Sequence, residues 1–366
     1  MLAWLCGCGP MDVPQAQDAM PTEQETQGIE GGTNASIATF PWQAELRIVG
    51  GTHHCGGAIL SPDYILTARH CISGRKPSDF RVGVGSSKRS TLPSEGQMRD
   101  VADFILHPSY NPNSFKYDVA LLKLASPLTL TGPNARAIPL ATSVDEAAGR
   151  TAPGAMATFT GWGQLGVNNT TLPDTLQKMT VSVFSKVAAD AVLPPLDAVT
   201  VDQLPAGHAP GGICPTRGDS GGPLVVDGAS GKILAGVASL GFGCGLPSLY
   251  AKVSHVEPWV AGIRARTPVE RASGTQTNTL GGDWTHYLVT VPVGTYSLNA
   301  RLSGGSGNAN LYVHTSSPNT STYTCRSVDS GTEEYCALSN PAAGTWYVSV
   351  YGAGPYANVS VRAATY

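Results

Sequence analysis

Three short stretches of this chain carry side chains that together could attack a carbonyl carbon. Ile65-Leu66-Thr67-Ala68-Arg69-His70-Cys71 ends an apolar run on a histidine. Lys116-Tyr117-Asp118-Val119-Ala120-Leu121-Leu122-Lys123-Leu124 sets a carboxylate at the mouth of an otherwise apolar segment. Gly218-Asp219-Ser220-Gly221-Gly222-Pro223 presents a serine within glycines. A serine hydroxyl is a poor nucleophile at neutral pH unless a base takes its proton, and imidazole is the usual base. A carboxylate that fixes the imidazole tautomer completes such a set, so the chemistry implied is acyl transfer through a serine ester. Asp219 poses a separate problem, because a carboxylate held in a turn beside the nucleophile needs a cationic partner.

Each of these groups requires a rigid element to hold it. His70 follows a β-like run, Asp118 precedes an apolar strand, and Ser220 sits in a turn before the strand Leu224-Val225-Val226. The glycines around Ser220 permit positive φ values and close backbone approach. With 43 Gly and 27 Pro among 366 residues, the chain is punctuated for many short strands, which predicts an all-β fold. At about 150 residues per domain, that length suggests two to three domains.

Charge narrows the partners. Lys and Arg number 23 against 26 Asp and Glu, a net −3 with only 13% of residues charged, which argues against nucleic acid. No apolar run approaches the roughly 18–20 residues that cross a bilayer. The cysteines at 6, 8, 55, 71, 214, 244, 325 and 336 form no Cys-x-x-Cys, so an even set of this kind reads as a disulfide framework of an oxidising, extracytoplasmic compartment. His53-His54 is the nearest thing to a metal pair, but neighbours on a strand point to opposite faces. Neither a metal nor another cofactor is expected.

Residues 1–8 form a short apolar stub, too short for a complete signal peptide and hence expected to be a truncated leader. Leu5-Cys6-Gly7-Cys8 resembles a bacterial lipobox, leaving lipid anchoring at Cys8 and simple cleavage and release as alternatives. Residues 9–28 are polar and proline-bearing, a propeptide or a linker.

The order His, Asp, Ser is that of the chymotrypsin arrangement. Ile29 to Arg266 resembles a trypsin/chymotrypsin-like serine endopeptidase in its three motifs and in further landmarks: Phe40-Pro41-Trp42-Gln43, Cys55-Gly56-Gly57, His107-Pro108-Ser109-Tyr110-Asn111, Gly161-Trp162-Gly163 and Pro258-Trp259-Val260. The resemblance implies a two-barrel protease closed by a short helix, read here as Val260 to Arg266, acting as a monomer on protein or peptide substrates. It implies that His70 is the general base, Asp118 its orienting carboxylate and Ser220 the nucleophile, with the N–H groups of Gly218 and Ser220 as oxyanion hole. Ile29-Glu30-Gly31-Gly32 matches the family's mature N-terminus, so cleavage after Gly28, by the enzyme itself or by an activating protease, would free an α-ammonium for Asp219. Cys55 would pair with Cys71 and Cys214 with Cys244.

One departure bears on specificity: Cys214 stands two positions further ahead of Ser220 than the family pattern has it. The floor of the substrate pocket falls on Gly212 and Ile213 if aligned on the cysteine, or on Cys214 if aligned on the serine. Its walls would be Ser239-Leu240-Gly241 and Ser248, the last in place of a usual glycine. No alignment gives an acidic floor to meet Arg or Lys. Apolar, elastase- or chymotrypsin-like cutting is expected.

No Lys follows Lys252 and no Phe follows Phe242, and the tail turns to Ser, Thr, Asn, Gly and Tyr with alternating strands such as His286 to Val291 and Trp346 to Val350. That pattern is a separate β-sandwich. Ser273 to Tyr366 resembles the bacterial pre-peptidase C-terminal domain at Val291-Pro292-Val293-Gly294, Asn308-Ala309-Asn310-Leu311-Tyr312-Val313 and Gly344-Thr345-Trp346-Tyr347-Val348. The resemblance implies a module of secreted bacterial peptidases that is often removed after export. Asparagines stand where its Asp-x-Asp would offer carboxylates, so calcium is not expected. Cys325 would pair with Cys336. The expected layout is leader 1–8, propeptide or linker 9–28, protease 29–267, linker 268–274 and sandwich 275–366.

Overall fold

The computed structural model describes residues 29–166, 168–194, 198–208 and 211–366. The expected leader, lipobox and propeptide lie outside the described residues. After the short strand β1 (Thr33–Asn34), six strands close the first barrel: β2 (Gln43–Ile48), β3 (His53–Ser61), β4 (Tyr64–Thr67), β5 (Phe80–Val84), β6 (Gln97–Leu106) and β7 (Ala120–Leu124), in the order β2-β3-β4-β7-β6-β5. The second barrel holds β8 (Met156–Gly161), β9 (Gln177–Val183), β10 (Gln203–Gly207), β11 (Pro223–Asp227), β12 (Lys232–Leu240) and β13 (Ser248–Lys252), closed by pairing of β8 with β9. Alternation puts Leu46, Ile65, Val82 and Leu122 inside the first barrel and Phe159, Val181, Leu224 and Tyr250 inside the second. All are buried.

The closing helix runs from Val253 to Arg264, starting seven residues ahead of the expected Val260 and carrying Pro258 within it. A proline normally ends such a reading because it removes one backbone donor. Here Val253, Val256, Val260 and Ile263 recur at helical spacing and pack into the apolar cluster that joins the first barrel to Leu234 and Val237 of β12, and that burial outweighs the lost bond.

The C-terminal part contains β14 (Val269–Asn278), β15 (Trp284–Val291), β16 (Ser297–Ser303), β17 (Ser306–His314), β18 (Cys325–Ser327), β19 (Glu334–Ser339) and β20 (Gly344–Thr365). The first half of the long β20 pairs with β15 and β17, its second half with β14 and β16. Between these layers lie Val289, Leu311, Val348, Leu298, Leu302 and Val361. The stretch read as a linker, 268–274, is strand from Val269 onward, paired with β20 from Val269↔Thr365 to Gly274↔Val361. Pro268-Val269-Glu270-Arg271-Ala272-Ser273-Gly274 shows little apolar alternation, but backbone pairing with β20 does not depend on those side chains. Disulfides join Cys55 to Cys71, Cys214 to Cys244 and Cys325 to Cys336.

Candidate active site

His70 lies in a short 3-10 turn, Arg69–Ile72, that follows β4 and is tied by Cys71 to β3. Its Nδ1 is 2.7 Å from Asp118 Oδ2, and its backbone N–H donates to Asp118 Oδ1 at 2.9 Å. Asp118 is fully buried and accepts a third bond from the Ser239 hydroxyl at 2.6 Å. Two contacts to one residue fix both the tautomer and the plane of the imidazole, leaving Nε2, 3.9 Å from the Cys71 sulfur, on the ring edge away from Asp118. The loop that delivers Asp118 is strained: Phe115 and Tyr117 both take φ near 51°. Asp202 of the second barrel, itself buried, holds it by accepting from the Tyr117 N–H at 2.6 Å, and Phe115 stands edge-on to the His70 ring at 5.7 Å.

The serine turn meets the first barrel directly. Gly56 N–H donates to Ser220 O at 2.7 Å, and a Cβ on Gly56 would stand 2.8 Å from the Gly222 Cα. Gly221 takes φ 79° with no room for a Cβ against Thr67 and Gly56. Arg217 O accepts from Gln164 N–H at 2.8 Å and Asp219 O from Gly222 N–H at 2.9 Å. In a trans peptide the N–H opposes the C=O, so the N–H groups of Gly218 and Ser220 are fixed on the other side of their peptide planes.

Asp219 is buried, accepting from Gly163 N–H at 2.8 Å, Thr216 N–H at 2.8 Å and the Thr216 hydroxyl at 3.3 Å. Gly161 and Gly163 make the space for it: a Cβ on either would collide with the carboxylate. These donors are neutral, and burial pushes the carboxyl up to about 6. Ile29 is fully buried in the same barrel with Phe159 and Tyr250, and takes φ 50°. A β-branched residue rarely adopts that value. The strain exists only while the preceding peptide is intact, since φ is set by the bond to residue 28.

A pocket of about 240 Å³ opens beside Ser220. Of the residues expected to shape it, Ser239, Leu240, Gly241 and Ser248 line it. Gly212 and Ile213 do not: Ile213 packs toward the core around Ile29 and within reach of Gly31, and the lining comes from Pro215, Thr216 and Gln164 instead. The residues between Cys214 and the serine turn therefore build part of the pocket. Ser239 does more than wall it, through its bond to Asp118. That bond, the hold of Asp202 and the Thr216 contacts carry no local motif; a buried Asp calling for partners was the sole sequence hint. His53 and His54 diverge as their alternation requires, His53 Nε2 lying 2.9 Å from Gly218 O and His54 Nε2 2.9 Å from Cys71 O. The larger cavity, about 840 Å³, lies at the seam between the first barrel and the C-terminal domain, far from this chemistry.

A family model described as Trypsin matches residues 29–260, and one described as bacterial pre-peptidase C-terminal domain matches residues 285–352. The chain is 38% identical over 244 residues to hypodermin-B of Hypoderma lineatum, covering 63% of this chain and 86% of that protein. It is 35% identical over 237 residues to the vitellin-degrading protease of Bombyx mori, covering 63% and 84%. With trypsin delta of Drosophila melanogaster it shares 35% identity over 236 residues, covering 63% and 87%.

Proposed function

The chain belongs to the trypsin family of serine endopeptidases, and on that premise we propose that His70, Asp118 and Ser220 cleave peptide bonds through an acyl enzyme on Ser220. The observation that carries this reading is the doubly bonded Asp118–His70 pair, which leaves imidazole Nε2 to take the serine proton. As Ser220 Oγ bonds to the substrate carbonyl carbon, His70 takes that proton and returns it to the leaving amine as the C–N bond breaks. Water then enters by the same route, splits the ester and restores the hydroxyl. The Gly218 and Ser220 N–H groups stabilise the oxyanion in both halves.

The mature enzyme starts at Ile29, and its new α-ammonium pairs with Asp219. The neutral donor set around that buried carboxylate and the φ of Ile29 support this: cleavage after Gly28 removes the strain and supplies a cation. The substrate residue before the scissile bond is apolar and of medium size, since Leu240, Gly241, Pro215 and Ser248 bring no carboxylate to the pocket. Disulfides and the C-terminal module suit an extracytoplasmic setting, released or tethered through Cys8.

Casein and short-ester turnover with a serine-directed phosphonate tests the reading. Label and both activities vanish together in Ser220→Ala. Ester turnover without casein cleavage would favour an esterase, and no Ser220-dependent label after processing at Ile29 would favour a binding protein. A cleavage profile led by Arg and Lys would overturn the pocket reading.

A further inference from the structure

Strand β6 changes partners along its length. Residues 97–100 pair with β5, whereas 101–106 pair with β7, and among the described residues no strand takes the other edge of that second part. An uncovered edge of this kind invites aggregation. It is met by side chains of the C-terminal domain. The Phe104 N–H donates to the Tyr335 hydroxyl at 2.8 Å, and Phe104 O accepts from Asn299 Nδ2 at 2.9 Å. The Tyr335 and Phe104 rings stand edge to face at 5.6 Å. Asp103, 1% exposed, has as partners Arg362 Nη1 at 2.9 Å and the hydroxyl of Tyr366. Ala364 and Tyr366 belong to the first barrel's core. On the closing helix, Gly262 admits the Tyr296 ring: a Cβ there would stand 2.0 Å from its hydroxyl oxygen.

We infer that the C-terminal domain is a permanent internal subunit of the protease, which caps the free edge of β6 and neutralises Asp103, and stays bound when the connection at Ala265–Pro268 is cut. Without it, Asp103 loses its ion pair, the β6 edge loses its hydrogen-bond partners, and the apolar surface that Phe104 shares with Tyr335 is opened to water. This differs from the expectation of a module shed after export, because cutting the chain does not undo a docked face.

The test uses the full chain with Ser220→Ala, to prevent self-cleavage, and a sequence-specific protease site inserted between Thr267 and Pro268. After cutting, the two pieces co-elute at the size of the intact chain at neutral pH and about 0.15 M salt. Asp103→Asn and Tyr335→Phe each shorten the lifetime of the cut complex by about tenfold or more; Tyr335→Phe keeps the ring and guards against failure of the first variant to fold. In the uncut chain Gly262→Ala gives a reading of opposite sign for the two views. Alanine favours a helix over glycine, so an undocked domain predicts a higher Tm, whereas docking predicts a lower one. Separation of the wild-type pieces without denaturant, lifetimes untouched by both variants, or a higher Tm for Gly262→Ala overturns the inference.

Discussion

Asp118 of the first barrel and Asp219 of the second flank the site as buried carboxylates, and the two are in different states. Asp118 of the first barrel has its partners in place: the His70 ring, the His70 N–H and the Ser239 hydroxyl. Asp219 of the second is met by neutral N–H and O–H groups, and its carboxyl is pushed up to about 6. On the proposed activation, the first carboxylate has its partners in the uncut chain, whereas the second would gain a cation from the N-terminus freed after Gly28, which would place control of the enzyme in the second barrel.

The largest effect that separates the two carboxylates falls on turnover. Asp118→Asn in the processed enzyme keeps the shape but presents the wrong tautomer, lowering kcat by about 10⁴. Asp219→Asn removes the partner of the α-ammonium and is expected to lower kcat by about 10²–10³, the size of a lost oxyanion donor, because it acts through the geometry of the serine turn. Equal losses would erase the distinction drawn here.

Stability gives a smaller and more specific contrast. A buried carboxyl at about 6 lies above the ordinary aspartate value of about 3.9, so the folded uncut chain holds a proton that the unfolded chain releases in that window. Stability of the uncut chain therefore falls as pH rises from about 4 to about 6 and stays lower above it, by on the order of 3 kcal/mol. Cutting after Gly28 supplies the ammonium and removes this fall. Thermal melts of Ser220→Ala before and after processing, at about pH 5 and 7.5, check it; identical pH profiles would contradict it. The smallest effect belongs to Ser239→Ala, which takes one of three bonds from Asp118 and is expected to lower kcat about tenfold with KM little changed.

What was legible in the sequence follows the same division between local and distant causes. His70, Asp118 and Ser220 each sit in a contiguous motif, and the glycines of Gly161-Trp162-Gly163 and Cys55-Gly56-Gly57 mark close backbone approaches that the structure displays at Asp219 and at the serine turn. Barrel strands declare themselves by alternation. The support of Asp118 by Ser239, across 121 positions, leaves no local trace. Nor does the docking of Arg362 on Asp103 across 259. The pocket floor was left between Gly212 and Ile213 on one alignment and Cys214 on the other because inserted residues can extend a loop on either side of a cysteine; the pocket beside Ser220 is lined by none of the three, and Ile213 packs instead around Ile29. The start of the closing helix was hidden by Pro258, whose local penalty is offset by burial that a proline rule does not weigh.

The central claim, a His70–Asp118 pair set on the first barrel and a serine turn of the second completed by a new N-terminus, is tested most directly by one labelling experiment. The chain beginning at Ile29 and the chain still carrying residues 1–28 are treated side by side with a serine-directed phosphonate, and the modified residue and the N-terminus are read by mass spectrometry. The account predicts one label per chain, on Ser220, at a rate at least about a hundredfold greater in the chain that begins at Ile29. Equal rates in the two chains, or a label elsewhere than Ser220, would contradict it.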